Sequence, residues 1–287
     1  MSEASYPKGL PRPPGAATRE LFNIGHRGAS AHAPENTIAA YDLALAQGAH
    51  FIELDVRATA DGVPVVIHDD SVERTGWLPH GPGAGAVASK TLRELRELDA
   101  GLWFQRSVGG VAGGYNGLRI PTLDEVLTRY RHCAKFCLEL KDCSSQPGLE
   151  IEVLRLLDKH GLSRPHKGSW RILLLSFDHS HLITIRDLHE DIPLVPVLAR
   201  GISGDDVNRG LVEVAAFATA VAAAKETVDQ RMIARAHELG LLIHPYTVND
   251  SEEMSRLVAA GVDGMITDFP DRLSEVLWSR LRSERAS

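Results

Sequence analysis

Short apolar runs alternate with amphipathic helical patterns along most of the chain. Residues 21–25, 51–56, 64–67, 136–140, 171–176, 194–198, 219–224, 241–247 and 264–267 each read as a strand. Several are continuously apolar, as in a parallel sheet covered on both faces. Between them, 37–47 puts Ile38, Tyr41 and Leu45 on one helical face and stops at Gly48. Residues 251–260 carry Met254, Leu257 and Val258 and stop at Gly261; 271–283 carry Leu273, Val276, Leu277 and Leu281. A glycine after the last turn supplies the left-handed stop of a helix. Eight βα units in about 250 residues predict a TIM (β/α)8 barrel. A doubly wound open sheet is the alternative, but no glycine-rich dinucleotide turn follows the first strand.

One stretch breaks the rhythm. Residues 70–118 hold ten of the 25 glycines and a single short helical pattern at Leu92, Leu95 and Leu98. They read as an insertion after the second barrel unit, placed to shape access at the upper rim. The remainder, 21–287, is expected to form one barrel domain. Residues 1–20, with Pro7, Pro11, Pro13 and Pro14, are expected to form an irregular arm.

Composition narrows the class. A net charge of -7 argues against a nucleic-acid footprint. No apolar stretch is long enough to span a bilayer and no signal peptide is visible, so a cytoplasmic protein without stable membrane association is expected. Cys133, Cys137 and Cys143 are too few and too oddly spaced for a disulfide scaffold or zinc pair; free thiols in a reducing compartment are expected.

The informative residues are polar groups in strands. The first strand ends in Gly25-His26-Arg27-Gly28. In the second, alternation places Glu53 and Asp55 on one face, with Ile52, Leu54 and Val56 opposite. Glu139 and Lys141 repeat the pattern, and the 64–67 run ends in His68-Asp69-Asp70. Taken singly, a strand-end His reads more often as a satisfied structural residue, and Glu139 as a partner of Lys141. Seven such groups at neighbouring strand ends fit a barrel's catalytic rim better. Glu53, Asp55 and Glu139 are hard oxygen donors suited to one divalent cation, Mg²⁺ or Ca²⁺. Arg27 and Lys141 can grip phosphate oxygens, and two histidines can serve as general base and general acid.

With Ile24-Gly25-His26-Arg27-Gly28, Pro34-Glu35-Asn36-Thr37, Glu53-Leu54-Asp55-Val56 and His68-Asp69 in order, the chain resembles the glycerophosphodiester phosphodiesterase family, within the phosphatidylinositol-phospholipase-C-like phosphodiesterase superfamily. Leu98-Asp99-Ala100-Gly101, Ile120-Pro121-Thr122-Leu123, Glu139-Leu140-Lys141, Ser176-Phe177, Thr247-Val248-Asn249 and Thr267-Asp268 extend the resemblance over about 21–273. The resemblance implies a TIM barrel with a small insertion, hydrolysing glycerophosphodiesters to glycerol 3-phosphate and an alcohol. It implies acid/base roles for His26 and His68, metal ligation by Glu53, Asp55 and Glu139, and phosphate contacts from Arg27 and Lys141. Where the family commonly has Trp before Thr-Val-Asn, this chain has Tyr246, an aromatic pocket wall with an added hydroxyl. Pro245 before it is unusual inside a strand. Lys225, after the sixth strand, is a candidate for the pocket, against the plainer reading of a solvated loop lysine. Ser176 is a candidate pocket hydroxyl, without the His–Asp partner a nucleophile needs.

Three other readings compete; one, a metal-independent two-histidine phospholipase C, is opposed by Glu53, Asp55 and Glu139, which argue for a bound metal. A lysophospholipase D-like or sphingomyelinase D-like enzyme would share this core, and an exposed apolar rim at Trp77, Leu78, Trp103 and Phe104 would favour it. A catalytically dead binding barrel would typically have lost a histidine or a carboxylate, and here all are present.

Overall fold

The computed structural model describes residues 21–107, 114–141 and 148–286. The expected arm at 1–20 and Cys143 fall outside them. Strand β1 (Phe22–Gly25) leads through helix α1 (Ile38–Ala46) to β2 (Phe51–Ala58), which folds back as β3 (Pro64–Val66). The insertion follows, with hairpin β4 (Trp77–Leu78) and β5 (Gly81–Pro82) and helices α2 (Leu92–Leu95) and α3 (Leu102–Ser107). The chain rejoins the barrel at α4 (Leu123–Tyr130), then alternates regularly. β6 (Lys135–Leu140) precedes α5 (Leu149–Lys159), β7 (Ile172–Ser176) precedes α6 (His179–Leu188), and β8 (Leu194–Pro196) precedes α7 (Asp205–Ala215). β9 (Ala220–Ala224) and α8 (Gln230–Glu238), β10 (Leu242–Tyr246) and α9 (Ser251–Ala260), and β11 (Gly264–Thr267) and α10 (Pro270–Ala286) complete the round.

The strands close into a TIM barrel. A parallel ladder runs β11-β1-β2-β6-β7-β8, and β9 pairs with β10. Backbone bonds bridge both seams: Leu198 N–H donates to Ala222 O at 2.9 Å, and Val248 N–H to Ile266 O at 2.9 Å. Pro245 stands inside β10, opposite Ala223 of β9.

One expected strand is not a barrel stave. β3 pairs antiparallel with β2, Val66 opposite Val56 and Pro64 opposite Ala58. The hairpin turns at 59–63, so the chain comes back down β2, and Ile67 N–H donates to Asp55 O at 3.0 Å. His68 therefore arrives beside the carboxylates from the rim. The insertion leaves the barrel after this second stave and returns before that stave's helix.

Side-chain alternation builds the layers. Ile52, Leu54 and Val56 join the outer core with Phe136, Leu138 and Leu140 against the helices. Phe51 and Cys137 face the barrel interior with Phe22, Leu173 and Val195. Cys137 is a buried free thiol and Cys133 an exposed one. Burying each large apolar side chain contributes about 1.5–3 kcal/mol. The insertion has a small core of its own, Val65, Ile67, Val72, Val87, Leu95 and Leu98 among it, with Leu78 packed against it.

Helix ends follow local chemistry. Thr37 caps α1 by accepting from Ala40 N–H, and Thr122 and Glu125 form a reciprocal capping box on α4. On α1 the buried residues are Ala40, Tyr41 and Ala44, while Ile38 and Leu45 flank the core. The small residues let α1 sit close on the strands, an effect that periodicity of large apolar residues does not reveal. Leu281 of α10 is exposed, past the point where that helix leaves the barrel.

Candidate functional site

Five of the seven predicted polar groups are drawn to one point by β1, β2 and β6. Phe51 and Glu53 share the inward face of β2 with Asp55, and the parallel register sets Asp55 directly opposite Glu139 of β6. Ligand oxygens of Glu53, Asp55 and Glu139 lie within 4.8 Å of one another. All three side chains are buried, Glu53 to 1% and Asp55 to 0% exposure.

The supports are specific. Arg27, just past β1, has a left-handed backbone with φ 57°. Such a conformation is costly for a non-glycine residue. Here it aims Arg27 N–H at Glu53 Oε2, 2.7 Å away, while the guanidinium reaches Glu35 Oε1 at 2.9 Å and Asp55 Oδ2 at 3.3 Å. Asn36, also left-handed at φ 56°, donates to Asp55 Oδ2 at 2.8 Å and accepts from the Tyr41 hydroxyl at 3.0 Å. The Lys141 ammonium, at the end of β6, lies 3.0 Å from Asp55 Oδ1 and also pairs with Glu139 Oε1.

These contacts do not neutralise the cluster. Burial, together with the charges of Asp55 and Glu139, pushes Glu53 up to about 8. Burial alone would also raise Asp55, but Lys141 and Arg27 hold it well below the usual carboxylate range. Burial raises Glu139 in spite of Lys141. Among the described residues Glu53 Oε1 is buried without a hydrogen-bond partner, and the facing oxygens of Asp55 and Glu139 share the Lys141 ammonium. Three carboxylates gathered in a low-dielectric interior with oxygens turned inward fit a hard divalent cation.

The two histidines flank this cluster, each with a carboxylate on Nδ1. His26 follows β1, and its Nδ1 is 2.7 Å from Asp268 Oδ1. Asp268 in turn accepts from Ser30 Oγ at 2.9 Å and Asn249 Nδ2 at 2.6 Å. Burial opposes a charged His26, but the Asp268 hydrogen bond and the Glu53 charge prevail and raise its pKa. Asp268 itself, despite burial, is drawn down to about 2 by His26, Asn249 and Ser30. His68 Nδ1 is 2.7 Å from Asp69 Oδ1. Burial, aided by Lys141 and Arg27 and opposed by Asp55, lowers the His68 pKa. The same backbone is pinned by Arg57 Nε, which donates to His68 O at 2.8 Å. With Nδ1 engaged in both rings, Nε2 is the nitrogen left for proton transfer.

The remaining candidates sit further round. The Tyr246 ring packs edge-on to Phe177 at 6.0 Å, and its hydroxyl donates to Leu198 O at 3.0 Å. The Arg200 guanidinium stands 5.6 Å over that ring, and Lys141 Nζ lies 5.8 Å from the ring centre of Phe177. Phe177 is 49% exposed and offers an apolar wall at the mouth. The Ser176 hydroxyl is buried, donating to Leu140 O at 3.0 Å and accepting from Asp178 N–H at 3.1 Å. Lys225 follows β9 and lies 3.7 Å from Glu253. A cleft of about 930 Å³ opens between α7 and α8, bordered by Arg200, Asn208, Glu226 and Arg235, and touches none of the seven groups. Asp69, Asp268, Glu35 and Asn36 stand in the motifs read from sequence, but only the folded chain gives them partners. Arg74, joined to Asp69 and Glu35, had no strand or motif position to mark it.

Comparison with known proteins points the same way. A family model described as the glycerophosphoryl diester phosphodiesterase family matches residues 26–272. A glycerophosphodiester phosphodiesterase of Bacillus subtilis is 34% identical over 257 residues, 89% of this chain and 86% of the relative. A crystal structure of a putative glycerophosphoryl diester phosphodiesterase from Silicibacter pomeroyi superposes with a TM-score of 0.79 at 28% identity, covering 95% of this chain and 96% of the other. A phosphodiesterase of Oleispira antarctica, solved with the product sn-glycerol-3-phosphate, gives 0.74 at 27% identity, over 88% of this chain and 95% of the other. The chain belongs to the glycerophosphoryl diester phosphodiesterase family, a family of enzymes.

Proposed function

We propose that the chain hydrolyses glycerophosphodiesters to glycerol 3-phosphate and an alcohol, with one divalent cation, Mg²⁺ or Ca²⁺, held by Glu53, Asp55 and Glu139. The observation that carries this reading is the buried trio itself, whose ligand oxygens lie within 4.8 Å of one another. When bound, the cation would neutralise the trio and polarise a phosphoryl oxygen. Arg27 and Lys141 bind the remaining phosphate oxygens and orient the diester. Tyr246 and Phe177 wall the mouth; Ser176 braces β6 against the loop after β7, and Lys225 pairs with Glu253 at its edge.

Cleavage moves two protons. His68, kept neutral, takes one from the attacking oxygen through Nε2. His26, kept protonated by Asp268, gives one to the leaving alcohol. The Asp69 carboxylate holds neutral His68 as the Nδ1–H tautomer with Nε2 free to accept, and the Asp268 carboxylate takes the Nδ1–H of charged His26 so that its Nε2–H can be given up. Both bonds favour a charged ring; at His26 the Asp268 bond and the Glu53 charge prevail over burial, whereas at His68 burial with Lys141 and Arg27 prevails.

A small substrate fits the rim better than a long acyl chain. Phe104 is buried, Leu78 packs into the insertion core, and the Trp77 indole donates to Arg74 O at 3.1 Å. No helix among the described residues is long and apolar enough to cross a membrane.

The decisive experiment is a turnover panel of glycerophosphocholine, glycerophosphoethanolamine, glycerophosphoglycerol, glycerophosphoinositol and lysophosphatidylcholine, before and after chelation. Turnover of the small diesters, lost with chelator and restored by Mg²⁺ or Ca²⁺, is expected. Full activity in metal-free protein would remove the metal from the reading; turnover confined to the lysolipid would replace the substrate. Glu53→Gln should behave as the chelated enzyme does, and added Mg²⁺ should raise the melting temperature of the unaltered chain only.

A further inference from the structure

At the start of the insertion one side chain reaches back to the two loops that flank the carboxylates. Arg74 stands six residues beyond His68, where the chain enters the insertion. Its guanidinium is shared between two carboxylates. Nε donates to Asp69 Oδ2 at 2.6 Å and Nη2 to Asp69 Oδ1 at 3.0 Å. Nη1 donates to Glu35 Oε2 at 2.6 Å and Nη2 to Glu35 Oε1 at 2.7 Å. Both oxygens of both carboxylates are held, a geometry that a planar fork supplies and an ammonium does not.

Each carboxylate passes the constraint on. Asp69 Oδ1 is the oxygen that meets His68 Nδ1. Glu35 Oε1 is the oxygen that accepts from Arg27 Nη1. A continuous line therefore runs from His68 through Asp69, Arg74 and Glu35 to Arg27, and from Arg27 to Asp55. The insertion fixes the centre of that line from both ends of the residue. The Arg74 guanidinium lies 5.8 Å from the Trp103 ring centre, and its carbonyl accepts the Trp77 indole N–H.

We propose that Arg74 is a positioning residue: acting through Asp69, it sets the ring orientation and tautomer of His68, and through Glu35 it holds that ring in register with the phosphate-binding Arg27. Its guanidinium is engaged by Asp69 and Glu35, not by Glu53, Asp55 or Glu139. Without it, two carboxylates that share one cation would repel each other. Asp69 would lose the fork that aims it at Nδ1, and its charge would bear on His68 uncompensated. The His68 ring would then both wander and hold its proton to higher pH. The role rests on the base function proposed for His68, but the fork geometry does not.

Two measurements on the full chain with Mg²⁺ separate these points. The first is the nitrogen-15 resonance of the His68 imidazole as pH is varied. The unaltered chain should show a neutral ring with its proton on Nδ1. In Arg74→Met the titration should move up by about one pH unit, with both tautomers present. The second is steady-state turnover of glycerophosphoglycerol. Arg74→Met should lower kcat about tenfold to a hundredfold, part of what a general base contributes, with KM changed less than about threefold. Arg74→Lys restores the charge and not the fork, so the titration should return toward normal while kcat stays low. An His68 titration and tautomer unchanged in Arg74→Met would overturn the proposal, as would turnover within about threefold of the unaltered chain. If the unaltered chain hydrolyses no glycerophosphodiester, the proposed function fails, and the imidazole resonance still decides the role of Arg74.

Discussion

Two walls of one barrel treat buried ionisable groups in opposite ways. On the β1, β2 and β6 wall, Glu53, Asp55 and Glu139 are packed together with Arg27 and Lys141. On the facing wall, β8 with the residue after it, β9 and β10 present Val195, Val197, Ala220, Ala222, Ala224 and Leu242, with Tyr246 at the mouth and His244 between them. His244 is fully buried beside the edge of Phe22, and neither ring nitrogen has a hydrogen-bond partner among the described residues. Burial holds it down to about 4, so it stays neutral. Both walls face the same low-dielectric interior. On the first wall Lys141 and Arg27 offset desolvation and keep Asp55 charged, while Glu53, crowded by two carboxylates, is pushed up to about 8; on the second, His244 has only the Asp263 charge against burial and gives its charge up. A buried titratable group points to chemistry when charged neighbours gather around it, as at Asp55, and not when it stands among apolar side chains, as at His244.

The largest test of the charged wall removes its histidines. His26→Ala and His68→Ala should each lower kcat by about 10²–10⁴-fold. The double variant should be little worse than the poorer single one, because the pair acts as a unit. In the unaltered enzyme the rate should fall as pH drops through the lowered pKa of His68, and fall again as pH rises through the raised pKa of His26. A nitrophenolate leaving group needs little protonation and should rescue His26→Ala but not His68→Ala. Rescue of the opposite variant would exchange the two roles, and near-normal rates in both would end the two-histidine mechanism.

The apolar wall is tested by stability. An imidazole in the unfolded chain takes up its proton near 6.5, whereas folded His244 resists until about 4. The unfolded state thus binds more protons across that window, and stability falls as pH drops from 6.5 toward 4. This single group should account for ~3 kcal/mol of the loss. Urea unfolding of His244→Leu at several pH values should show a stability loss between pH 6.5 and 4 smaller by about that amount, with turnover at neutral pH kept within about twofold. An unchanged loss would mean His244 has a partner after all.

The smallest expected effect joins the two readings. Lys141→Ala would remove the charge-assisted contact to the diester proposed for it, ~1.5–3 kcal/mol in kcat/KM. It also leaves Asp55 and Glu139 with one cation fewer. A more tightly bound Mg²⁺ with weaker turnover is the expected pair of results. Unchanged kinetics with a lowered melting temperature would make Lys141 a structural counterion only.

Much of this was legible in one dimension. Period-two alternation in 51–56 and 136–140 placed Glu53, Asp55 and Glu139 on inward faces, because a strand side chain has only two directions to choose from. The turn glycine Gly261, with φ 93°, ended α9 where its residue type said it would. The 64–67 run was readable as a strand but not in its direction. Parallel and antiparallel pairing demand the same apolar alternation, and the register with β2 is decided by partners distant in sequence.

The sequence by itself determined the barrel, the identity of the carboxylates and histidines, and the family, since these depend on residue types and on local periodicity. Tertiary structure alone decided which partner each group received. Asp268 comes to His26 across 242 residues, and Arg74 reaches Glu35 across 39. Those partners set whether an imidazole keeps its proton and which nitrogen carries it. The energy of a charge in a protein interior depends on distance and dielectric, and neither exists until the chain has folded.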